Sequence, residues 1–260
     1  MRFLIEADIF PEEQKALVDA LTELRVDHSI WNPEGCPIYL AADNHVFFYG
    51  SIQSALRLKE VGARFQIWLG NEFDYHYFGA HLSNLLNEDY CLFTYAQLLS
   101  FKDEENYSND VRYFRSDSGY KKFQGGLYTA KEFYSEGERV NLFKEDLLVF
   151  ADKKKIDREY RLVIRSQYDE MSDMWNNAVI SQTSYLKEEE PLTRLEIAKI
   201  ESDLNCDTYR PYPLWVLDVA VSEGEIFQLE ANSINTSGLY NSDYKAIVGA
   251  ILDIEKKEIV

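Results

Sequence analysis

Between Leu214 and Tyr240 the chain reads LWVLDVAVSEGEIFQLEANSINTSGLY, and this stretch restricts the fold more than any other. An apolar run from Leu214 to Ala220 is interrupted once, by Asp218. A turn follows at Ser222-Glu223-Gly224-Glu225, and a second apolar run, Ile226 to Leu229, leads into Glu230-Ala231-Asn232. Two β-rich runs about a glycine-containing turn predict a hairpin. A carboxylate inside a buried strand has to be protonated, paired or bound to a cation, because an unpaired charge there is expensive. Asp218, Glu230 and the amide oxygen of Asn232 form an all-oxygen set of the kind that suits Mg²⁺, whose shell is completed by water and phosphate oxygens. The same spacing equally allows Asp218 to start a turn or to accept from a neighbouring backbone N–H.

Two upstream segments carry charge in a comparable pattern. Val111 to Phe114 reads as a strand ending at Arg115, followed by Ser116-Asp117-Ser118-Gly119-Tyr120 and Lys121-Lys122-Phe123-Gln124-Gly125-Gly126. This is a loop between strands with one cation at its entrance and two near its exit, and its glycines let backbone approach a ligand closely. Such a flap can close over a triphosphate, with guanidinium and ammonium groups neutralising it. A hairpin with a solvated basic tip is the alternative. If the segment is extended, Lys122 points away from Lys121. In Asp157-Arg158-Glu159-Tyr160-Arg161-Leu162-Val163-Ile164-Arg165, alternation puts Glu159, Arg161, Val163 and Arg165 on one strand face and Tyr160, Leu162 and Ile164 on the other. The apolar face packs inward; the charged face either lines a cleft or forms a structural ion pair.

Taken in order, these segments resemble the ATP-grasp fold, in particular the phage- and bacteria-associated ATP-grasp proteins of unassigned substrate. The resemblance covers about residues 111–260 well and the N-terminal third loosely. It implies an α/β (α+β) fold in which two α/β lobes hold ATP, preceded by a small Rossmann-like domain. The division it implies is residues 1–108 for that first domain, 109–150 for the small lobe and 151–260 for the large lobe. It implies Mg²⁺ on Asp218, Glu230 and Asn232, and places Arg115 and Lys121 on the phosphates. Arg161 falls at the γ-phosphate or the acyl-phosphate being formed, so that Arg161 and Lys121 carry the catalytic roles, with Glu159 orienting Arg161 or meeting the nucleotide. After the apolar run Leu147 to Phe150, the resemblance sets the adenine edge against the backbone of Val149, Phe150 and Ala151, and the ribose near Asp152. The implied reaction is ATP-dependent joining of a carboxylate to an amine or similar nucleophile. A nucleotide-binding regulatory module and a kinase-like phosphoryl transferase remain open on the same fold, because fold does not fix function. The run Ser166 to Asn177, where relatives turn at glycine, reads as an extended loop.

The first hundred residues read as a small parallel α/β layer: strands at Arg2–Ala7, Val26–Trp31 and Val46–Tyr49 alternate with helices opened by Pro11-Glu12-Glu13 and by Gly50-Ser51. Gly50-Ser51 is either an anion cradle at a helix N-terminus or a tight turn capped by Ser51. His76 and His81, five apart among Tyr75, Tyr77 and Phe78, read as aromatic packing, since one helix face needs a spacing of three or four. The polar stretch Lys102–Asp110 marks the boundary between the two parts. Glu188-Glu189-Glu190-Pro191 reads as the start of a helix, and Tyr244–Ile254 as a terminal one.

Composition narrows the partners. A net charge of −18, from 45 acidic and 27 basic residues, opposes sequence-independent nucleic-acid binding and adsorption to anionic membranes. Cys36, Cys91 and Cys206 are odd in number and far apart, which fits free thiols in a reducing, cytoplasmic setting rather than a disulfide framework or a zinc site. MRFLIEADIF carries Glu6 and Asp8 and has no small-residue cleavage site, so it does not read as a signal peptide. The expected partners are ATP and an unidentified carboxylate plus amine, with a homodimer left open.

Overall fold

A computed structural model describes residues 1–34, 45–60, 65–100, 110–123, 125–186 and 189–258. Cys36, most of the polar stretch at 102–110, and Gln124 lie outside the described residues. Three four-stranded sheets follow one another along the chain.

The first sheet is built from β1 (Arg2–Glu6), α1 (Pro11–Glu23), β2 (His28–Trp31), β3 (Val46–Tyr49), α2 (Ile52–Glu60) and β4 (Phe65–Gln66), followed by the short α3 (Tyr75–His81). Its order is β2-β1-β3-β4 and every pair is parallel, as strand-helix alternation requires. The second sheet comes from β5 (Cys91–Thr94), α4 (Tyr95–Ser100), β6 (Arg112–Ser116), β7 (Gly126–Tyr128), α5 (Ala130–Arg139) and β8 (Leu147–Asp152). It is antiparallel in the order β5-β8-β6-β7, so the strand at 91–94, ahead of residue 109, pairs with β8 of the second sheet. The third sheet comes from β9 (Arg158–Asp169), β10 (Met174–Ser184), α6 (Arg194–Cys206), β11 (Leu214–Ser222), β12 (Glu225–Ser233) and α7 (Tyr244–Glu258). It is antiparallel in the order β10-β9-β11-β12.

The third sheet is covered on both faces, and the alternation along its strands shows how. Leu162, Ile164, Trp215, Leu217 and Val219 share a core with Ile200 and Leu204 of α6. Val163, Leu214 and Val216, on the other face, share a core with Ile247, Val248 and Ile251 of α7 and with Phe3, Ile5 and Phe47 of the first sheet. Further along that second face, beyond the helix, stand Arg161 and Asp218. One strand face is therefore apolar where α7 covers it and charged where it emerges.

Two local details differ from the sequence expectation. Ser166–Asn177 is not a loop: β9 and β10 run on as a paired hairpin from Ser166↔Asn177 to Asp169↔Met174, leaving a four-residue turn at 170–173. Glu188 lies outside the described residues, and Glu189 and Glu190 do not begin a helix; α6 starts at Arg194, where Thr193 and Glu196 form a reciprocal capping box. The β11–β12 turn is as expected. Ser222 pairs with Glu225, and Glu223 and Gly224 both have positive φ, 53° and 84°, the signature of a two-residue primed turn.

Asn235 joins the third sheet to the first. Fully buried, it accepts from the Trp68 N–H (2.7 Å) and donates to the carbonyls of Phe48 (2.6 Å) and Gln66 (3.1 Å). Among the described residues, no helix is long and apolar enough to cross a membrane.

Candidate functional site

The emerging charged face of the third sheet is assembled by register. Asp218 lies directly opposite Arg161 on one side and Glu230 on the other, and Val216 lies opposite Asn232. A β-bulge between the pairs Asp218↔Glu230 and Val219↔Gln228 inserts Leu229. The extra residue resets the alternation, so Glu230 joins Asp218 and Asn232 while Gln228 turns to the opposite side and donates to Asp207 (3.3 Å). Without the bulge, Glu230 and Gln228 would share a face.

Across from this face stands the second sheet. Arg115, 3% exposed at the end of β6, reaches Glu230 Oε1 at 3.2 Å, and Lys121 Nζ reaches the same oxygen at 2.7 Å. The Arg115 guanidinium also lies 5.1 Å from the Tyr75 ring centroid, and its Nη1 is buried without a hydrogen-bond partner. Lys121 takes a left-handed backbone (φ 49°), which directs its side chain inward, while Lys122 pairs with Asp146 at 2.6 Å on the outside. Lys122 thus faces away from the cleft as expected, but because of a turn rather than an extended strand. The base of the flap is latched to α3. The Tyr75 N–H donates to the Asp117 carbonyl, the His76 N–H to Asp117 Oδ1 (2.8 Å), and the Gly119 N–H to Asp74 Oδ1 (2.8 Å), with His76 Nδ1 2.7 Å from Asp117 Oδ2. His81 stacks on Tyr77, as the aromatic reading expects. The Gly50-Ser51 cradle is filled by the chain itself: the Ser51 N–H donates to Glu6 Oε2 at 2.6 Å.

Between the two sheets lies a cavity of about 530 Å³, lined among others by Tyr113, Arg115, Lys121, Lys154, Glu159, Arg161, Asp218 and Glu230. This is the size range of small-molecule sites. Arg161 is held on several sides. Its Nε and Nη2 form a fork with both Asp218 oxygens (2.8 Å each), and its Nη1 donates to the Gly238 carbonyl (2.7 Å). Its guanidinium carbon also sits 5.3 Å from the ring centroids of both Tyr185 and Tyr240. Asn232 Nδ2 donates to Asp218 Oδ2 at 3.1 Å. Burial works against ionisation of Glu230, but Arg115 and then Lys121 outweigh it and bring its pKa down to about 2. Glu159 moves the other way, up to about 7, first through burial, then through repulsion from Asp218, partly offset by Arg161.

The structure therefore brings Arg115, Lys121, Glu159, Arg161, Asp218, Glu230 and Asn232 to one cleft region. The adenine-edge residues are a different case. β8 is an inner strand: Val149 and Phe150 pair with Leu92 and Cys91 of β5 on one side and with Arg115 and Phe114 of β6 on the other. Their backbone groups belong to two ladders and do not offer a free edge to a base. Ala151 pairs with Tyr113, and Asp152 sits exposed, bonded to Arg112. The cavity-lining residues next to them in the chain are Lys154 and Ile156, in the connection to β9. Tyr113, Leu86, Asn87 and Tyr185 also line the cavity without having been singled out; no local signal marks them, since folding alone brings them there.

Of cofactor groups, a divalent cation fits the donor set. Three oxygen-bearing side chains converge from adjacent strands and Glu230 is ionised. The present partners of its carboxylate, Arg115 and Lys121, are the groups that a phosphate chain would attract.

This architecture is the ATP-grasp fold. The solved structures it resembles include D-cycloserine synthetase DcsG, at TM-score 0.63 and 10% identity over 98% of this chain and 99% of that one. The D-alanine–D-alanine ligase from Bacillus anthracis complexed with ATP superposes at TM-score 0.58 and 15% identity, covering 99% of both chains. A RimK domain protein ATP-grasp from Sphaerobacter thermophilus DSM 20745 gives TM-score 0.59 and 12% identity over 98% and 96%. At such identities the likeness is one of fold. No family model matches the sequence, and a search of curated proteins finds no match.

Proposed function

We propose that the protein is an Mg²⁺- and ATP-dependent ligase that activates a carboxylate as an acyl-phosphate and passes it to an amine or similar nucleophile. One observation carries the reading. Two carboxylates and three cations meet across a single cleft at 2.7–3.2 Å, each drawn from a different strand or loop and none needed to close a core. In this reading Arg115 and Lys121 exchange Glu230 for phosphate oxygens, and the unpartnered Nη1 of Arg115 supplies a ready donor. Asp218, Glu230 and Asn232 hold the cation, which when bound neutralises phosphate charge. Arg161, immobilised by Asp218 and two tyrosines, presents fixed positive charge where the γ-phosphoryl group is transferred. The contribution is positioning and electrostatics, as phosphoryl transfer requires. The purine lies against the Lys154–Ile156 connection rather than along β8.

The likeness to a D-cycloserine synthetase and to a D-alanine–D-alanine ligase supports this reading. We further propose a division in which the nucleotide-binding part begins near residue 90 instead of 109, because β5 belongs to the second sheet. The test is ADP release in the presence of carboxylate pools and hydroxylamine, which traps acyl-phosphates as hydroxamates. Wild-type protein should form hydroxamate in step with ADP, and Asp218→Asn should lose turnover while still binding nucleotide. Nucleotide binding without any turnover would favour a regulatory module, and a stable phosphorylated product a kinase.

A further inference from the structure

Glu13 is a buried carboxylate that the ligase reading leaves without a role. It stands in the first turn of α1, is 9% exposed, and lines neither the cavity between the sheets nor a second one, of about 210 Å³, that adjoins it. A helix N-terminus favours an anion at that place. The partners of Glu13 are uncharged donors: the Leu239 N–H and the Tyr49 hydroxyl (2.9 Å), both on Oε2, and the Tyr244 hydroxyl. All three lead to the loop that follows β12. The Tyr49 hydroxyl is also 2.9 Å from the Ser237 carbonyl, and the Tyr244 hydroxyl is 2.8 Å from the Tyr240 carbonyl. The Gly238–Leu239 peptide is held from two sides: its carbonyl accepts from Arg161 Nη1 (2.7 Å), and its N–H donates to Glu13. Gly238 allows the close fit, since a Cβ there would lie 3.1 Å from Glu13 Oε1.

We infer that Glu13 is a positioning residue for Arg161, to which it supplies a remote counter-charge through the Gly238–Leu239 peptide. The inference rests on the ligase reading above and gives the domain of the first sheet a part in phosphoryl transfer. In a trans peptide the carbonyl and the N–H point in opposite directions, so this unit stands between a cation and an anion with its dipole favourable to both. The charge on Glu13 polarises the peptide and makes the Gly238 carbonyl a stronger acceptor for the guanidinium. Arg161 lines both cavities, so its placement sets where positive charge meets the transferred group. Its other acceptor is Asp218, whose two oxygens hold Nε and Nη2. In the ligase reading Asp218 also serves the cation, whereas the Gly238 carbonyl lies outside that donor set. The line from Glu13 through the peptide is therefore the anchor that cation binding leaves to Arg161.

The experiment compares hydroxamate formation, metal-free ADP binding and thermal melts for the full chain and three variants. No turnover by the wild type refutes the ligase reading and this inference with it. Glu13→Gln keeps an acceptor for the Leu239 N–H and removes the charge. It should lower kcat about tenfold or more, with KM for ATP and metal-free ADP affinity within about threefold of wild type, because Glu13 lines neither cavity. Tyr49→Phe takes a hydroxyl from both Glu13 and Ser237 but leaves the peptide between Glu13 and Arg161. It should melt lower than the wild type and keep kcat within about threefold, which a purely structural role of the loop does not allow. Gly238→Ala presses a methyl group on the Glu13 carboxylate and should reproduce the loss in kcat; it decides the matter alone if Glu13→Gln does not fold. Wild-type turnover with a smaller loss of kcat than this in Glu13→Gln, or in Gly238→Ala where it stands alone, overturns the inference and leaves the ligase reading standing. An equal loss in Tyr49→Phe, or a loss confined to KM for ATP, does the same.

Discussion

Replacing Glu230 by Gln separates the two roles of its carboxylate. In the protein as it stands, Glu230 neutralises Arg115, whose side chain is 4% exposed, and Lys121, which is 39% exposed. Lys121 can turn to solvent at little cost. Arg115 cannot; it keeps the Ser116 carbonyl (3.0 Å), the Tyr113 hydroxyl and the Tyr75 and Phe78 rings, none of which carries a full negative charge. Breaking a buried pair on one side costs about 3–5 kcal/mol, and the glutamine oxygen recovers part of one hydrogen bond, so ~3 kcal/mol is expected. Proton linkage gives the same order. A pKa lowered from 4.5 to about 2 corresponds to ~3 kcal/mol at roughly 1.4 kcal/mol per unit. That stability is complete above the unfolded value of 4.5 and is lost as pH falls toward 2. At about 2–4 °C per kcal/mol for a chain of this size, the variant should melt roughly 6–12 °C lower at neutral pH, and the gap should close in acid. Metal-free ADP should bind the variant at least as tightly as wild type, because Arg115 and Lys121 are released to its phosphates. The gain that Mg²⁺ gives wild type should disappear. Thermal melts with ADP, with and without Mg²⁺, read all of this at once. A shift equivalent to less than about 1 kcal/mol, or an ADP affinity that falls equally with and without metal, would refute the reasoning.

Other consequences are equally direct. Because Glu159 is raised from 4.5 to about 7, its stabilising contribution is full below 4.5 and fades as pH rises through 7; Glu159→Gln should flatten the denaturant midpoint across that interval. Binding of Mg²⁺-nucleotide beside it should expel its proton near neutrality, seen as a binding enthalpy that changes with the buffer's ionisation enthalpy. Asn235→Ala leaves the Trp68 N–H and the Phe48 and Gln66 carbonyls without their partner and should cost about 3 kcal/mol or more, measured by chemical unfolding. Asp218→Asn should abolish the metal-dependent part of nucleotide binding and, by weakening the fork on Arg161, reduce hydroxamate formation at least a hundredfold, against a change of less than threefold in metal-free ADP affinity.

The third sheet was the most legible part of the chain. Strand alternation set Glu159 and Arg161 apart from Leu162 and Ile164, and an acid inside the run Leu214–Ala220 forced a partner onto Asp218. The partner turned out to be Arg161, two strands being adjacent in space but 57 residues apart in sequence, so the oxygen set and the cation set interlock more closely than spacing implies. Whether a strand is central or at an edge is decided by distant pairing. That is why neither the two ladders on Val149 and Phe150 nor the pairing of β5 with β8 across residue 109 could be read from the sequence. Two misplaced boundaries had readable signals: the capping box Thr193-x-x-Glu196 outranks the acidic run before Pro191, and unbroken hydrogen-bonding residues through Ser166–Asp169 let the hairpin continue. The bulge at Leu229, which gives Glu230 its direction, leaves no mark that a period-two reading detects.

The most direct trial of the account is a crystal structure of the protein with Mg²⁺ and a non-hydrolysable ATP analogue. It should show the phosphates between Arg115 and Lys121 on one side and a cation on Asp218, Glu230 and Asn232 on the other, with Lys121 moved off Glu230 and the purine beside Lys154 and Ile156. A nucleotide bound elsewhere, or a cleft in which the Glu230 ion pairs persist and no cation is held, would contradict it.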